Sequence, residues 1–311
     1  MLTRRAALVG GSSLLAAQGA LAQGRRPWAD QVPVIRIGLL GGENDADRLA
    51  RYKPYQALLE KTFGVPTQTR AAADYAGVVQ AFGAGQIEVA FMSPAAYATA
   101  WLDSNGRVIP ILTAIEADGS TSYVSVMYVR ADSGISDVAG MKGRALAWAD
   151  PNSASGYLIP RSEFRAAGID PSTYFSRTGF AGGHEQAVIA VLGKQYDAGV
   201  TWTSGVGDAA QGYTRGALRT MVDKKLLIMA DLRMIWRSRP IQNGPLTVRA
   251  DTPQSFRDDM VAFHMALPTE NRAVYDSVNM GTGPGFVAVT HADYQPFVDM
   301  IRAEAADRRK R

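Results

Sequence analysis

Two short segments combine hydroxyl groups, glycine and a helix start, a pattern that suits small anions. In the first, residues 149–157, a buried strand leads through Asn152, Ser153, Ser155 and Gly156 into a predicted helix. Such a turn collects backbone N–H groups, the positive end of a helix dipole and two hydroxyls at one point. Because each oxygen of a three-oxygen anion can accept from a different donor, the segment predicts an anion site. Ordinary N-capping by Asn152 or Ser153 explains the same residues and stays open.

The second segment, residues 180–185, places Gly182 and Gly183 directly before His184 at another helix start. Glycines precede the histidine and an apolar helical stripe follows it, so we expect its ring to be exposed in a cleft. A protonated or donor imidazole would complement an anion's oxygen. A lone histidine is more often structural. Because the three histidines lack metal-ligand spacing and cysteine is absent, we expect neither a metal nor a cofactor.

Three aromatic residues stand where side chains could reach a cleft. Tyr75 follows Asp74 at a helix start, and Tyr123 enters a long apolar strand. Each phenol could donate a hydrogen bond to a ligand, or could equally be a core residue with its hydroxyl paired. Trp202 follows a predicted strand, residues 195–201, at its carboxyl end, where open α/β sheets bind ligands. Its ring would favour a small or alkyl substituent.

Nucleophilic catalysis is the alternative chemistry for these residues. Ser153, His184 and either Asp150 or Asp208 could form a triad. However, the chain has neither a Gly-x-Ser-x-Gly elbow nor a nucleotide-binding P-loop, and its carboxylates are scattered. We therefore predict binding without catalysis.

The elements that must position these residues alternate between strand and helix along the chain. A strand at 34–40, helices from 51 and 75, a strand at 87–92 and a helix from 95 begin the series. This alternation predicts parallel sheets covered on both faces. No repeat or low-complexity linker interrupts it, so we expect two lobes joined by paired crossovers.

The first residues read as an export signal. Arg4 and Arg5 precede an uncharged stretch at 6–21, and Ala20, Leu21 and Ala22 provide a signal-peptidase pattern. We expect residues 1–22 to be a removed signal peptide and the mature chain to be periplasmic. Both the ordinary secretory route and the twin-arginine route stay open.

Composition limits the remaining possibilities. The chain has no cysteine, so neither a disulfide nor a cysteine-linked lipid anchor is expected, and core burial must stabilise the fold. The net charge of +4 includes Arg4 and Arg5, which leaves +2 without them. The body has no basic stripe interleaved with aromatic residues, so nucleic-acid binding is not expected.

Five segments carry a resemblance when they are taken in order: residues 74–79, 87–92, 150–157, 181–185 and 235–238. Together they resemble the phosphonate-binding (PhnD-type) periplasmic receptors of ABC importers, over nearly the whole mature chain. The resemblance implies the type II periplasmic-binding-protein fold, with two α/β lobes, two crossovers and the ligand in the cleft. The ligand-binding residues that it implies are Tyr75, Tyr123, Ser153, Ala154 (through its backbone), Ser155 and His184.

The chain departs from that family's pattern in two respects. The family commonly reads Ser-Thr-Ser where Ala154 stands in the middle here, so one hydroxyl is lost. Members that bind aminoethylphosphonate carry acids at places where this chain reads 201–204 and 242–245, and neither stretch contains one. Because an ammonium group would lie there without a counter-charge, we predict a ligand without an amine, such as an alkylphosphonate, phosphite or a phosphate ester.

The sequence thus predicts one lobe from residues 32–127 and 238–311 and a second from 128–237, with hinges near 127–130 and 235–238. We expect a monomeric, periplasmic solute-binding component that captures a phosphonate-like anion and delivers it to an inner-membrane ABC permease. The alternatives are a receptor of the same fold for a sulfonate, a carboxylate or a pyrimidine precursor, and, less favoured, an enzyme on this fold.

Overall fold

The computed structural model describes residues 26–281 and 283–309. The predicted signal peptide, residues 1–22, lies outside them. The strands are β1 Ile35–Leu39, β2 Thr67–Ala71, β3 Val89–Phe91, β4 Val108–Ile115, β5 Ser122–Arg130, β6 Ala145–Trp148, β7 Arg177–Phe180, β8 Ala198–Thr203, β9 Leu232–Arg237, β10 Ile241–Gln242, β11 Pro245–Arg249 and β12 Gly285–Ala288. The α-helices are α1 Asp45–Phe63, α2 Tyr75–Gly83, α3 Pro94–Asp103, α4 Ile159–Ala166, α5 Pro171–Tyr174, α6 His184–Leu192, α7 Ala217–Asp223, α8 Gln254–Glu270, α9 Arg272–Asn279 and α10 Gln295–Arg309.

Two sheets organise these elements into two lobes. The first has the order β12-β4-β11-β3-β1-β2, and the second has β10-β5-β8-β6-β7, with β9 also paired to β5. The predicted parallel pairing holds for β1 with β2 and β3, and for β6 with β7 and β8. Strands β4, β5 and β11 pair with antiparallel neighbours, so both sheets are mixed. Four of the antiparallel strands, β4, β5, β10 and β11, carry the chain between the lobes.

The crossovers differ from the predicted boundaries. The chain leaves the first sheet after β4 and enters the second at β5 through residues 116–121, and it returns through 243–244 between β10 and β11. The segments 127–130 and 235–238, where we expected hinges, lie within or beside strands of the second sheet. The difference arises because the apolar run of β5 is one uninterrupted strand, whereas the short polar segments before it and after β10 are free of sheet pairing.

Apolar burial on both faces of each sheet holds the lobes together. One buried cluster of the first lobe packs α1 and α8 against the sheet and includes Trp28, Tyr55 and Phe256. The cluster on the opposite face extends across the interface between the lobes, because it includes Tyr123 and Ala154 of the second lobe. The cleft between the lobes is therefore closed. Within the described residues, no helix is both long enough and apolar enough to cross a bilayer.

Candidate ligand-binding cleft

A cavity of about 210 Å³ lies between the two lobes. Both lobes contribute to its wall, and the carboxyl end of β1, the start of α2 and the start of α6 meet there. Of the residues that the sequence singled out, six line the cavity: Tyr75, Tyr123, Ser153, Ser155, His184 and Trp202. Ala154 is fully buried among apolar side chains, and its methyl group does not line the cavity.

The helix after β6 begins at the cavity. The Ser153 hydroxyl accepts a hydrogen bond from the amide of Gly156 at 2.9 Å, as the capping interpretation requires. A π-helical turn, Ala154–Leu158, precedes α4. Gly156 is needed there, because a Cβ at this position would lie 2.5 Å from the Cβ of Ala149 and 3.0 Å from the His184 ring. The sequence therefore places a serine hydroxyl and the first-turn amides of a helix at the cavity wall.

A chain of three polar groups runs beneath this turn. The Oγ of Ser153 lies 3.2 Å from His184 Nε2, and His184 Nδ1 lies 3.1 Å from the Oγ1 of Thr201. His184 is only 5 % exposed, and burial lowers its pKa to about 4. The expectation of an exposed ring is therefore wrong, and the imidazole is neutral near neutral pH. Thr201, the second partner of the imidazole, was not predicted from the sequence.

Gly183 explains why the histidine is buried. A Cβ on Gly183 would collide with the backbone of Gly42 in the first lobe. The glycine before His184 thus allows the two lobes to approach closely rather than leaving the helix start open. The imidazole is covered as a result.

Two buried phenols face the serines. Burial raises the pKa of Tyr75, as does the nearby charge of Asp150, and a hydrogen bond with Ser153 acts in the opposite direction. Burial raises the pKa of Tyr123 to about 12, although a hydrogen bond with Ser155 and the positive charge of Arg215 both act to lower it. Both phenols therefore keep their protons near neutral pH and are available as donors.

A hydrogen bond from β5 holds the backbone of Ser155 in place. Its carbonyl oxygen accepts a hydrogen bond from the Ser125 hydroxyl at 2.6 Å, and Ser125 is itself fully buried in β5. This anchor fixes the backbone of the turn, so the Ser155 hydroxyl remains on the cavity side near Tyr123.

Trp202 forms a neighbouring wall together with a residue that the sequence did not indicate. It lies inside β8 rather than after the strand, and its ring packs edge-on against Tyr123 at 5.8 Å. The guanidinium of Arg215 lies 5.0 Å from the centre of the Trp202 ring. Arg215 also lines the cavity.

Arg215 connects both crossovers. Its Nε donates to both carboxylate oxygens of Glu116 at 3.1 Å, and its Nη2 donates to the Oδ1 of Asn243 at 3.1 Å. Asn243 in turn donates to Glu116 at 2.9 Å. Glu116 lies in the first crossover and Asn243 in the second, so a single buried network ties the two connections to the second lobe. No local motif signals it, because its members are far apart in sequence.

Further polar contacts join the lobes. The Tyr75 amide donates to the Asp150 carboxylate at 3.4 Å, and the Ser93 hydroxyl donates to the Asn152 carbonyl at 3.0 Å. Lys224, directly after α7, pairs with Glu185 in its own lobe and, at 3.0 Å, with Asp47 of the first lobe.

The arrangement of Ser153, His184 and Thr201 does not favour nucleophilic catalysis. Ser153 and His184 are in contact, but the third partner is the Thr201 hydroxyl and not Asp150 or Asp208. A histidine whose pKa is lowered to about 4 is a poor general base near neutral pH. In the described part of the chain, no group of three or more His, Cys, Asp or Glu side chains could hold a metal ion.

Two lobes that close around a ligand-sized cavity define a binding protein, and solved structures share this fold. One is the binding-protein component of an ABC phosphonate transporter from Pseudomonas aeruginosa (TM-score 0.74, 23% identity, 86% of this chain and 85% of that chain). Another is PhnD1 from Prochlorococcus marinus in complex with methylphosphonate (TM-score 0.75, 16% identity, 88% and 98%). The aliphatic sulphonate binding protein SsuA of Escherichia coli is more distant (TM-score 0.58, 15% identity, 88% of each chain). The predicted type II periplasmic-binding-protein fold is confirmed.

The chain belongs to the family of phosphonate periplasmic substrate-binding proteins of ABC transporters, which matches residues 37–294. It is 33% identical over 217 residues to the phosphate-import protein PhnD of Mycolicibacterium smegmatis, a match that covers 66% of this chain and 62% of that protein. The chain therefore spans less than two thirds of that relative's length. It is 28% identical over 240 residues to the phosphonates-binding periplasmic protein of Escherichia coli, covering 76% and 67%. The predicted PhnD-type relationship is confirmed.

Proposed function

We propose that this protein is the solute-binding component of an ABC importer and that it captures a small phosphonate or a related phosphorus oxyanion. The observation that carries the proposal is the convergence of four hydroxyls, those of Ser153, Ser155, Tyr75 and Tyr123, on one cavity at a helix start. Family membership and the methylphosphonate complex of the Prochlorococcus marinus relative support the choice of phosphorus over other oxyanions.

Neutral donors at this site suit an anion because they add no competing negative charge. The Ser153 hydroxyl already accepts from the Gly156 amide. If His184 donates from Nε2 to Ser153 and accepts from Thr201 at Nδ1, the hydroxyl proton of Ser153 is left for the ligand. Hydrogen bonds to a charged acceptor contribute about 1.5–3 kcal/mol each, and first-turn amides add to them.

We propose in addition that the ligand lacks an amine. Two carboxylates line the cavity, and each has a cationic partner: Glu185 pairs with Lys224 and Glu43 pairs with Arg51 through Oε1, while the buried Oε2 of Glu43 accepts no hydrogen bond from the described residues. On the Trp202 side, the charged group that faces the cavity is the guanidinium of Arg215, and Glu116 behind it has both oxygens occupied. On that side an ammonium group would therefore meet like charge without a free counter-ion.

A ligand panel tests both proposals. Thermal shifts and calorimetry would compare phosphite, phosphate, methylphosphonate, aminoethylphosphonate and methanesulfonate. A ligand present at about 100 times its Kd adds about 2.7 kcal/mol to the free energy of unfolding, so binding should raise the Tm measurably. Methylphosphonate should stabilise the protein more than methanesulfonate and aminoethylphosphonate do. If no phosphorus oxyanion raised the Tm, the receptor proposal would fail, and tighter binding of aminoethylphosphonate would refute the amine argument alone.

The cellular context follows from the same proposal. The chain would be exported by cleavage after Ala22, would act as a periplasmic monomer and would deliver its ligand to an inner-membrane permease. Sequencing the amino terminus of the protein recovered from the periplasm tests the leader, and sedimentation tests the oligomeric state. A periplasmic protein that begins well before Gln23 would contradict the proposed cleavage.

A further inference from the structure

The cavity does not end at the hydroxyl groups. It extends to five apolar side chains of the first lobe, which form what we call the apolar end: Phe91, Ala114, Leu246, Val278 and Phe286. All five belong to the buried cluster on the α1 and α8 face of the first sheet or pack against it. The cleft therefore has one end lined by hydroxyl groups and another that reaches into a hydrophobic core.

Phe91 shows that this end is open space rather than filled core. It lies on β3, which has β1 on one side and β11 on the other, and its ring stacks on Phe286 at 6.1 Å. A large apolar side chain on such an interior strand is normally fully buried. Phe91 nevertheless keeps part of its surface exposed, whereas Leu246 beside it is fully buried. Because Phe91 lines the cavity, its exposed part faces the cavity.

Polar groups near the apolar end are already paired with one another. Arg215 donates to Glu116 and to Asn243, and the Thr113 hydroxyl donates to the Asn243 carbonyl at 3.1 Å. Asn279 donates to the Tyr275 hydroxyl at 3.2 Å. A polar substituent would have to displace one of these partners, whereas an apolar substituent would displace only water.

We propose that the apolar end is a subsite for an alkyl substituent, so that the ligand is an alkylphosphonate longer than methylphosphonate. This inference rests on the proposed function for the oxyanion end. A dry cavity of about 150 Å³ holds benzene, with its six heavy atoms. By the same ratio, the cavity of about 210 Å³ holds about eight heavy atoms. Four of these belong to the phosphonate group, which leaves room for a chain of about four carbons.

Calorimetry with the series from methyl- to hexylphosphonate tests the subsite. Each added methylene should tighten binding about fourfold until the cavity is full at about butyl, and longer chains should then bind more weakly. Affinity that is flat or that falls from methyl to butyl would overturn the proposal while leaving the proposed function intact. If methylphosphonate and every longer member failed to bind, the proposed function itself would fail, and the subsite with it.

Substitutions that fill the apolar end, compared with a substitution of the same size outside the cavity, test the subsite from the protein's side. Val278→Phe should remove most of the gain in affinity from methylphosphonate to butylphosphonate, which is about 60-fold for three methylenes. Val287→Phe adds the same bulk on β12 at a side chain that is 38% exposed, and it should leave the whole series unchanged. Ala114→Val adds less volume at the same end of the cavity and is the second test variant if Val278→Phe does not fold. A full butyl gain in a folded Val278→Phe or Ala114→Val protein would refute the subsite.

Discussion

Removal of the Ser153 hydroxyl is the sharpest test of the oxyanion end. In Ser153→Ala, the Gly156 amide and the Nε2 of His184 both lose a partner, at 2.9 and 3.2 Å. The loss of a helix cap costs about 0.5–2 kcal/mol of stability, so the variant should fold with a modestly lower urea midpoint. The loss of one hydrogen bond to a charged ligand, about 1.5–3 kcal/mol, should weaken binding about ten- to 150-fold.

The assay pairs calorimetry with methylphosphonate and urea unfolding of the ligand-free protein. Ser104→Ala is the matched control, because the Ser104 hydroxyl is also buried and also accepts a backbone amide, that of Arg107 at 3.1 Å, outside the cavity. The control should lose similar stability and keep its affinity. A folded Ser153→Ala protein whose Kd stays within about twofold of the wild type would refute the placement of the anion. The double variant with Ser155→Ala should abolish ligand-dependent stabilisation.

Three further perturbations test the surroundings of the cleft. Arg215→Met leaves the buried Glu116 with the Asn243 amide but without its cationic partner, and it should lower the free energy of unfolding by about 3–5 kcal/mol. A loss below about 1 kcal/mol in a urea titration would contradict this. Lys224→Met removes an ion pair that joins the lobes and should speed ligand dissociation by about two- to fivefold in stopped flow, whereas Arg219→Met, which breaks a pair within α7, should not. Burial lowers the pKa of His264 from 6.5 to about 4 in the folded protein. As the pH falls from 6.5 to 4, the unfolded chain therefore takes up this proton before the folded protein does, and the free energy of unfolding decreases. His264→Gln should flatten that slope by about 1.4 kcal/mol per pH unit, and an unchanged slope would argue against a neutral buried ring.

The sequence identified the parts of the site that local chemistry specifies. Ser153 caps a helix and His184 begins one, and each can be recognised from a few neighbouring residues. Tyr75 was predicted for the same reason, since Asp74 before it caps α2 by accepting from Gly77 at 2.9 Å. The alternation of strand and helix was enough to predict two α/β lobes.

The parts that the sequence did not predict depend on distant contacts. Arg215 reaches Glu116 and Asn243 across large separations in the chain, and nothing in its neighbours indicates a cavity. The burial of His184 depends on Gly183 meeting Gly42 of the other lobe, a contact that arises only when the cleft closes. The crossovers were misplaced because an apolar strand gives no local signal of the sheet that it joins.

The contacts between the lobes indicate what the ligand must do. Apart from the shared apolar cluster, they include polar contacts such as the Ser93 bond to Asn152, the Lys224 pair with Asp47 and the Arg161 pair with Glu304. Neutral hydrogen bonds and exposed ion pairs each contribute about 1 kcal/mol or less. Closure without a ligand also buries the Ser153 hydroxyl and the two phenols, which water would otherwise solvate. An anion that accepts from these donors offsets that cost only in the closed form, so its differential affinity shifts the population towards closure.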